Sequence, residues 1–376
     1  MYDTLLLAAD TVVGSGYGLW IAGAIFLAIV GSLLALDLGV FHRKAHEVSM
    51  KEAATWSAIW VALGLSFSGL VYLAYNNHWL GLGLNTPMYD AAGKAGALIT
   101  RGTVDGATAA QQYLVGYVLE WSLAMDNIFV IALIFNFFAI PSKYQHRVLF
   151  WGILGALVMR GMMIGVGATL VLQFQWILIV FGLLLLVTAL KMALLKEEKE
   201  PGNNVIVRVT KKLFPVTDTF HGQHFFAKID GKTWITPLFL ALVMVEFTDL
   251  IFAVDSIPAI FGITPDPFIV FTSNILAIMG LRSLYFCLAA LIAKFRFLKP
   301  ALILILAFVG VKLLLMSVPP YLGVIGLTPQ SPIKIPTGVS LLFVLAMLGG
   351  AVVLSILMPK REPKHLALAK TPAEVA

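Results

Sequence analysis

EFTDLIFAVDS, running from Glu246 to Ser256, sets three carboxylates, Glu246, Asp249 and Asp255, inside an apolar run otherwise long enough to span a bilayer. An ionised Asp or Glu at that depth costs at least ~2.5 kcal/mol even on the lenient insertion scale, so each needs a partner or a role. The surrounding run, about Trp234 to Phe261, is one of nine such runs. The others extend approximately over Leu19–Phe41, Ala53–Tyr75, Tyr113–Ile140, Val148–Leu172, Trp176–Leu195, Phe268–Ala293, Pro300–Val318 and Thr337–Met358. Each is close to the ~20 apolar residues that cross a ~30 Å hydrocarbon core.

Composition agrees with that reading. With 376 residues, 60% hydrophobic, 12% charged and a mean hydropathy of +0.92, the chain is too apolar for a soluble globular protein. The expected fold is an all-α polytopic transmembrane bundle of about nine spans. The formal charge of +6 would suggest nucleic acid in a soluble chain. Here the charges lie between spans, and no nucleic-acid partner is expected. The single Cys287 permits no internal disulfide. The start, MYDTLLLAAD, has no basic n-region and no small-residue cleavage site, so the first span is expected to serve as the targeting element.

Placement of Lys and Arg sets the orientation. Nineteen of the 26 fall in the first, third, fifth and seventh connections and the C-terminal tail, against three in the N-terminus and the alternate connections. The remaining four, Arg160, Lys191, Arg282 and Lys312, lie within spans. The N-terminus is therefore expected outside, and the C-terminus in the cytoplasm of a bacterial inner membrane. The chain divides into a two-helix region with a long extracytoplasmic connection (1–112), a first three-helix unit (113–195) and a cytoplasmic connection (196–233). A second three-helix unit (234–318) and a final helix with a cytoplasmic tail (319–376) follow. The run KEEKE at the start of the 196–233 connection reads as a solvated helix end. His221 and His224 stand in a basic loop without Cys or acidic neighbours, which is weak ground for a metal site.

The two units repeat. EWSLAMDN, Glu120 to Asn127, aligns with the opening stretch so that Glu120 falls on Asp249, Asp126 on Asp255 and Asn127 on Ser256. The shared pattern is [ED]-x3-A-x-D-[NS]. In the next span GILGALVMR, ending at Arg160, matches NILAIMGLR, ending at Arg282, and the third span carries Lys191 and Lys312. An odd number of spans per unit makes the second copy enter the membrane in the opposite direction, the inverted repeat of secondary transporters, with a site near the midplane.

Glu120 and Asp126, like Asp249 and Asp255, are six residues apart, ~240° around and ~9 Å along a straight helix. Either the acids address different neighbours or the helix is broken near the second acid, which Pro258 after Ser256 favours. Counting Asp37, the spans hold six acids (Asp37, Glu120, Asp126, Glu246, Asp249, Asp255) and four bases, an excess of two negative charges. One divalent cation matches that excess. Carboxylates with Asn127 and Ser256 oxygens suit hard cations such as Mn²⁺, Mg²⁺ or Ca²⁺ rather than copper or zinc. Asp126 and Asp255 are the leading candidate ligands, with Glu120, Asp249, Glu246, Asn127 and Ser256 beside them. Arg160, Arg282, Lys191, Lys312 and Asp37 are the candidate counter-charge and coupling groups; the two lysines either pair with acids or snorkel to the membrane edge.

LALDLGVFHRKAHEVS around Asp37, GYVLEWSLAMDNIFV, and TPLFLALVMVEFTDLIFAVDSIPAIFGITPDPFIVFTSNILAIMGLRSLYF together resemble the TerC family of integral membrane proteins, which includes tellurium-resistance and Alx-type proteins. Trp121 stands where many members have Lys, and the connection from Asn76 to Gln112 is long. The resemblance implies Mn²⁺ export and metal-ion homeostasis, with tellurite resistance. The expected function is thus a secondary transporter exporting a divalent metal cation, Mn²⁺ first, with proton antiport through the same carboxylates. The alternative is a membrane scaffold in metal-stress resistance or membrane-protein assembly. No nucleophile-and-base arrangement, phosphate-cradling loop or metalloprotease motif points to an enzyme, and no bound cofactor is expected.

Overall fold

The computed structural model describes residues 17–36, 49–89, 98–194, 205–217, 219–229, 231–289, 297–322, 333 and 335–358, with Asp126 described in its backbone only. Asp37, the KEEKE run and the Asp126 side chain lie outside the described residues.

The helices are α1 (Tyr17–Leu36), α2 (Met50–Asn76), α3 (Gly106–Phe137), α4 (Ser142–Gln173), α5 (Ile177–Leu194), α6 (Val205–Leu213), α7 (Pro237–Phe261), α8 (Pro267–Met279), α9 (Leu281–Ala289), α10 (Leu298–Leu322) and α11 (Thr337–Leu357). Among the described residues eight helices are long and apolar enough to cross a membrane, and α8 with α9, bent by 40°, makes a ninth candidate when the pair is taken as one span. Apolar residues at helical spacing are exposed rather than buried: Val158, Met162 and Val166 on α4, and Val180, Leu183, Val187, Leu190 and Leu194 on α5. Such stripes belong against lipid, since large exposed apolar faces are rare in soluble monomers. The protein is an integral membrane protein.

Start signals are local. Asp105 accepts from the Thr108 N–H at 2.8 Å, so α3 begins at Gly106, seven residues before the apolar run starts. Asp266 accepts from the Phe268 N–H at 2.9 Å, and Pro267 opens α8. Two small antiparallel hairpins break the all-α plan. Strands β1 (Thr86–Tyr89) and β2 (Ile99–Gly102) lie in the 76–112 connection, and β3 (Phe226–Ile229) and β4 (Lys232–Ile235) in the 196–233 connection. The β1–β2 end is tied to the bundle through the Tyr89 hydroxyl, which donates to the Phe261 carbonyl, and through Gln175, whose Oε1 accepts from the Leu98 N–H at 2.6 Å.

Helices α3 and α8, which pack on each other, each contribute to all three buried apolar clusters. The first helix of each three-helix unit packs on the second of the other, α3 on α8 and α7 on α4. The two third helices, α5 and α10, pack on each other. At that crossing a Cβ on Gly182 would stand 3.1 Å from the Gly310 carbonyl, so backbones approach where side chains are smallest.

One local expectation is overturned. Helices α3 and α7 run unbroken past Asn127 and Ser256, and Pro258 sits inside α7. It does so because it lies in the last turn, where the missing N–H costs one hydrogen bond and the Gly262 N–H closes on the Pro258 carbonyl at 3.0 Å. The break falls one helix later, at Gly280 between α8 and α9.

Candidate functional site

Arg160 of α4 is 1% exposed and is the hub of the bundle's buried polar groups. It forms an ion pair with Glu120 of α3, which is fully buried. To Asp249 of α7 it is bidentate, Nη2 donating to Oδ1 at 3.0 Å and Nε to Oδ2 at 3.2 Å. This fork geometry is specific to Arg and stronger than a neutral hydrogen bond. Its Nη1 donates at 3.4 Å to Ser256 Oγ and at 3.4 Å to Asn274 Oδ1, and Asn127 Nδ2 donates to Asp249 Oδ1 at 3.2 Å. Four helices therefore converge on one guanidinium.

Helix periodicity explains who arrives. On α3, Glu120 and Asn127 are seven residues apart, nearly two full turns, and share a face; so do Asp249 and Ser256 on α7. Glu246, three residues before Asp249, joins that face, and Gly155 of α4 leaves the room its carboxylate fills: a Cβ there would collide with it. Asp255, six residues from Asp249, points elsewhere. It accepts from Thr188 Oγ1 of α5 at 2.8 Å, with Lys191 close enough to act on it electrostatically.

The structure thus brings Glu120, Asn127, Arg160, Glu246, Asp249 and Ser256 together and sets Asp255 apart with Thr188. Arg282 is buried at the start of α9, just beyond the Gly280 bend, and is engaged there. Lys312 neither pairs with these acids nor snorkels: it is 5% exposed and donates to Ser340 Oγ at 2.9 Å. Lys191 is exposed near the end of α5. Asn274 and Thr188 are the polar partners that the acid-centred reading missed. Thr188 stands in the same TALK tetrad as Lys191, and Asn274 ends the polar triplet Thr272–Ser273–Asn274 in an otherwise apolar run.

Three buried acceptors in or beside the cluster have no donor: Glu120 Oε2, Asn127 Oδ1 and Glu246 Oε2. Buried polar atoms without partners are rare and ask for an explanation. Next to them a cavity of about 30 Å³ is lined by Asn127, Asp249, Gly152, Ile131, Leu149 and Leu281 among others, on the side of the β3–β4 end. It has room for about one or two waters. Among the described residues no three Asp, Glu, His or Cys side chains stand ready around one point, because Arg160 occupies the space between Glu120 and Asp249. His221 is engaged with the Thr219 hydroxyl at 3.2 Å rather than with a metal-type cluster.

Residues 105–363, which hold every one of these groups, match the family described as "Integral membrane protein TerC family". The chain belongs to the TerC family. It is 42% identical over 347 residues to "Uncharacterized membrane protein STKORF319" of Myxococcus xanthus, covering 92% of this chain and 94% of that one. It is 46% identical over 297 residues to "Putative membrane-bound redox modulator Alx" of Photorhabdus laumondii, covering 78% and 85%. The protein of the same name in Escherichia coli K12 is 42% identical over 294 residues, again covering 78% and 85%. None of these names is that of an enzyme. No solved structure matches this TerC chain.

Proposed function

We propose that this TerC protein is a non-enzymatic secondary transporter that exports a divalent metal cation, Mn²⁺ in first place, from the cytosol across a bacterial inner membrane. In this reading the N-terminus lies outside and the C-terminus inside, the orientation that the Lys and Arg distribution favours. The observation that carries the reading is the buried cluster. Carboxylates from α3 and α7, one from each repeat, meet at Arg160, three oxygens in or beside the cluster lack a donor, and a small cavity reaches Asn127 and Asp249. The three unsatisfied atoms at this cluster are hard oxygen acceptors, the donor set of Mn²⁺, Mg²⁺ or Ca²⁺. The choice of Mn²⁺ among these comes from the family resemblance.

In this reading Arg160 is the internal stand-in for the cargo. It offsets one of the two negative charges of Glu120 and Asp249 while the site is empty, and the arriving cation competes with it for the same oxygens. A carboxylate that gives up the metal accepts a proton instead, which supplies an antiport route. Asp255, held by Thr188, and Asp126 are further stations on the path rather than members of the Arg160 cluster. The name "redox modulator" borne by relatives does not translate into dithiol chemistry here, since the chain has one cysteine.

Mn²⁺ flux into proteoliposomes tests the assignment. Glu120→Gln and Asp249→Asn are expected to lose roughly ten-fold or more, and Asp126→Asn and Asp255→Asn to be impaired. Undiminished flux in the first two would remove the cluster from the transport path. The scaffold alternative makes the opposite forecast in cells: charge-neutralised variants that reach the membrane restore the manganese resistance of a deletion strain.

A further inference from the structure

A cavity of about 380 Å³ lies at the β1–β2 end, bounded by β1 and the start of α3, by the end of α7, and by α10 and the start of α11. Lys312 lines it while being 5% exposed. Its ammonium carries three donors and a full charge. The Ser340 hydroxyl, at 2.9 Å, takes one donor and none of the charge, and among the described residues no carboxylate lies within ion-pair distance. A buried charge left without a counter-charge is expensive, so the arrangement asks for an anion.

The rest of the wall supplies donors. Helix α11 starts there: Pro336 occupies its N-cap position, no side chain caps it, and Pro336 and Thr337 line the cavity. The first-turn N–H groups of a 21-residue helix favour negative charge. Gln112 adds an amide. One carboxylate, Asp105, also lines the cavity, but its two oxygens are engaged by the Thr108 N–H and hydroxyl, both at 2.8 Å.

We propose that this cavity binds a small oxyanion of the phosphate class, with Lys312 as its counter-charge. A tetrahedral oxyanion presents acceptors in several directions at once, as an ammonium, helix N–H groups and an amide around one space require. The inference does not depend on the transport reading, because no residue of the Arg160 cluster takes part.

Titration calorimetry with inorganic phosphate, on full-length protein in phosphate-free neutral detergent, is the test. Wild type is expected to bind saturably, Lys312→Arg to retain binding, and Lys312→Gln to lose at least ten-fold. Asp105→Asn keeps the helix cap and removes a like charge, so it is expected to tighten binding about five-fold. Nanodiscs of phosphatidylcholine with and without phosphatidic acid separate the sources: competition by the acidic lipid assigns the site to a headgroup, its absence to free phosphate, and both support an oxyanion. Where Lys312→Gln does not fold, protection of Lys312 in wild type against an acylating reagent, read by mass spectrometry, decides. No saturable binding or protection at millimolar phosphate, or affinity unmoved by Asp105→Asn, overturns the proposal.

Discussion

Replacing Arg160 with Gln leaves Glu120 and Asp249 buried without the cation they share. Glu120 is fully buried and the Asp249 side chain 11% exposed, so water replaces little of what is lost. Removing one partner of a buried ion pair costs ~3–5 kcal/mol, because the orphaned charge stays in place. Asp249→Asn is a milder change. The cluster of Arg160, Glu120 and Asp249 carries one positive and two negative charges, so that variant leaves a neutral pair and loses charge-assisted hydrogen bonds worth ~1.5–3 kcal/mol. Arg160→Gln is therefore expected to be the less stable by about 2 kcal/mol, roughly thirty-fold in the unfolding equilibrium. The triple variant Glu120→Gln, Arg160→Gln, Asp249→Asn removes all three charges and is expected to recover most of the difference. Unfolding in mixed SDS micelles, followed by tryptophan fluorescence, measures the series. Added Mn²⁺ is expected to stabilise Arg160→Gln more than wild type, since the competitor for the oxygens is gone. An Arg160→Gln protein as stable as Asp249→Asn would refute the electrostatic account of the cluster, and one blind to Mn²⁺ would refute the competition.

Burial, partly offset by hydrogen bonds from Tyr75 and the Phe268 N–H, pushes the Asp266 carboxyl up to about 6 from its ordinary 3.8. The folded state thus binds this proton more readily than the unfolded chain. Stability is fully present below about pH 4 and is lost as pH rises through about 6, by about 3 kcal/mol in all; melts at pH 4 to 7 should show that fall, and Asp266→Asn should flatten it. Gly106→Ala drives a Cβ into the Tyr72 carbonyl and to 3.2 Å from the Asn76 backbone nitrogen, a cost of about 1–3 kcal/mol. Gly69→Ala meets nothing within 4 Å and is expected to gain up to ~1 kcal/mol in the same thermal assay. Gly152→Ala puts a methyl on the wall of the 30 Å³ cavity, 3.2 Å from Val245 Cγ1. Stability should stay within ~1 kcal/mol while Mn²⁺ flux drops several-fold, and full flux would take the cavity off the route.

Span number and the membrane class were legible because bilayer thickness fixes helix length, and apolar runs report it directly. Helix ends were less so: α3 and α4 begin before the apolar runs, at Gly106 and Ser142, where a cap or a proline rather than hydropathy sets the start. The acids were legible as costly anomalies, but their grouping was not. Reading Glu120 with Asp126 at a spacing of six obscured the face-sharing pair at seven, Glu120 with Asn127, that the same motif contains. Pro258 drew attention from Gly280, although proline in a last turn costs little and glycine within a span permits a bend. Asn274 was hidden because an amide carries no charge to count.

Where the two units meet they are not equivalent. Aligning Arg160 on Arg282 puts Gly152 of α4 on Asn274 of α8. Asn274 is fully buried and gives its Oδ1 to Arg160, so its side of the cluster is filled. Gly152 has nothing to give, and the space beside it is the cavity that reaches Asp249. Two copies with identical side chains would give two access states related by the two-fold axis equal free energy, and cargo binding alone would choose between them. In a transporter built on this repeat, a glycine at the position equivalent to an asparagine removes that degeneracy without any ligand. On the transport reading, the chain is biased towards the state open at the β3–β4 end, the end the Lys and Arg distribution assigns to the cytoplasm, so an exporter waits with its site facing its cargo.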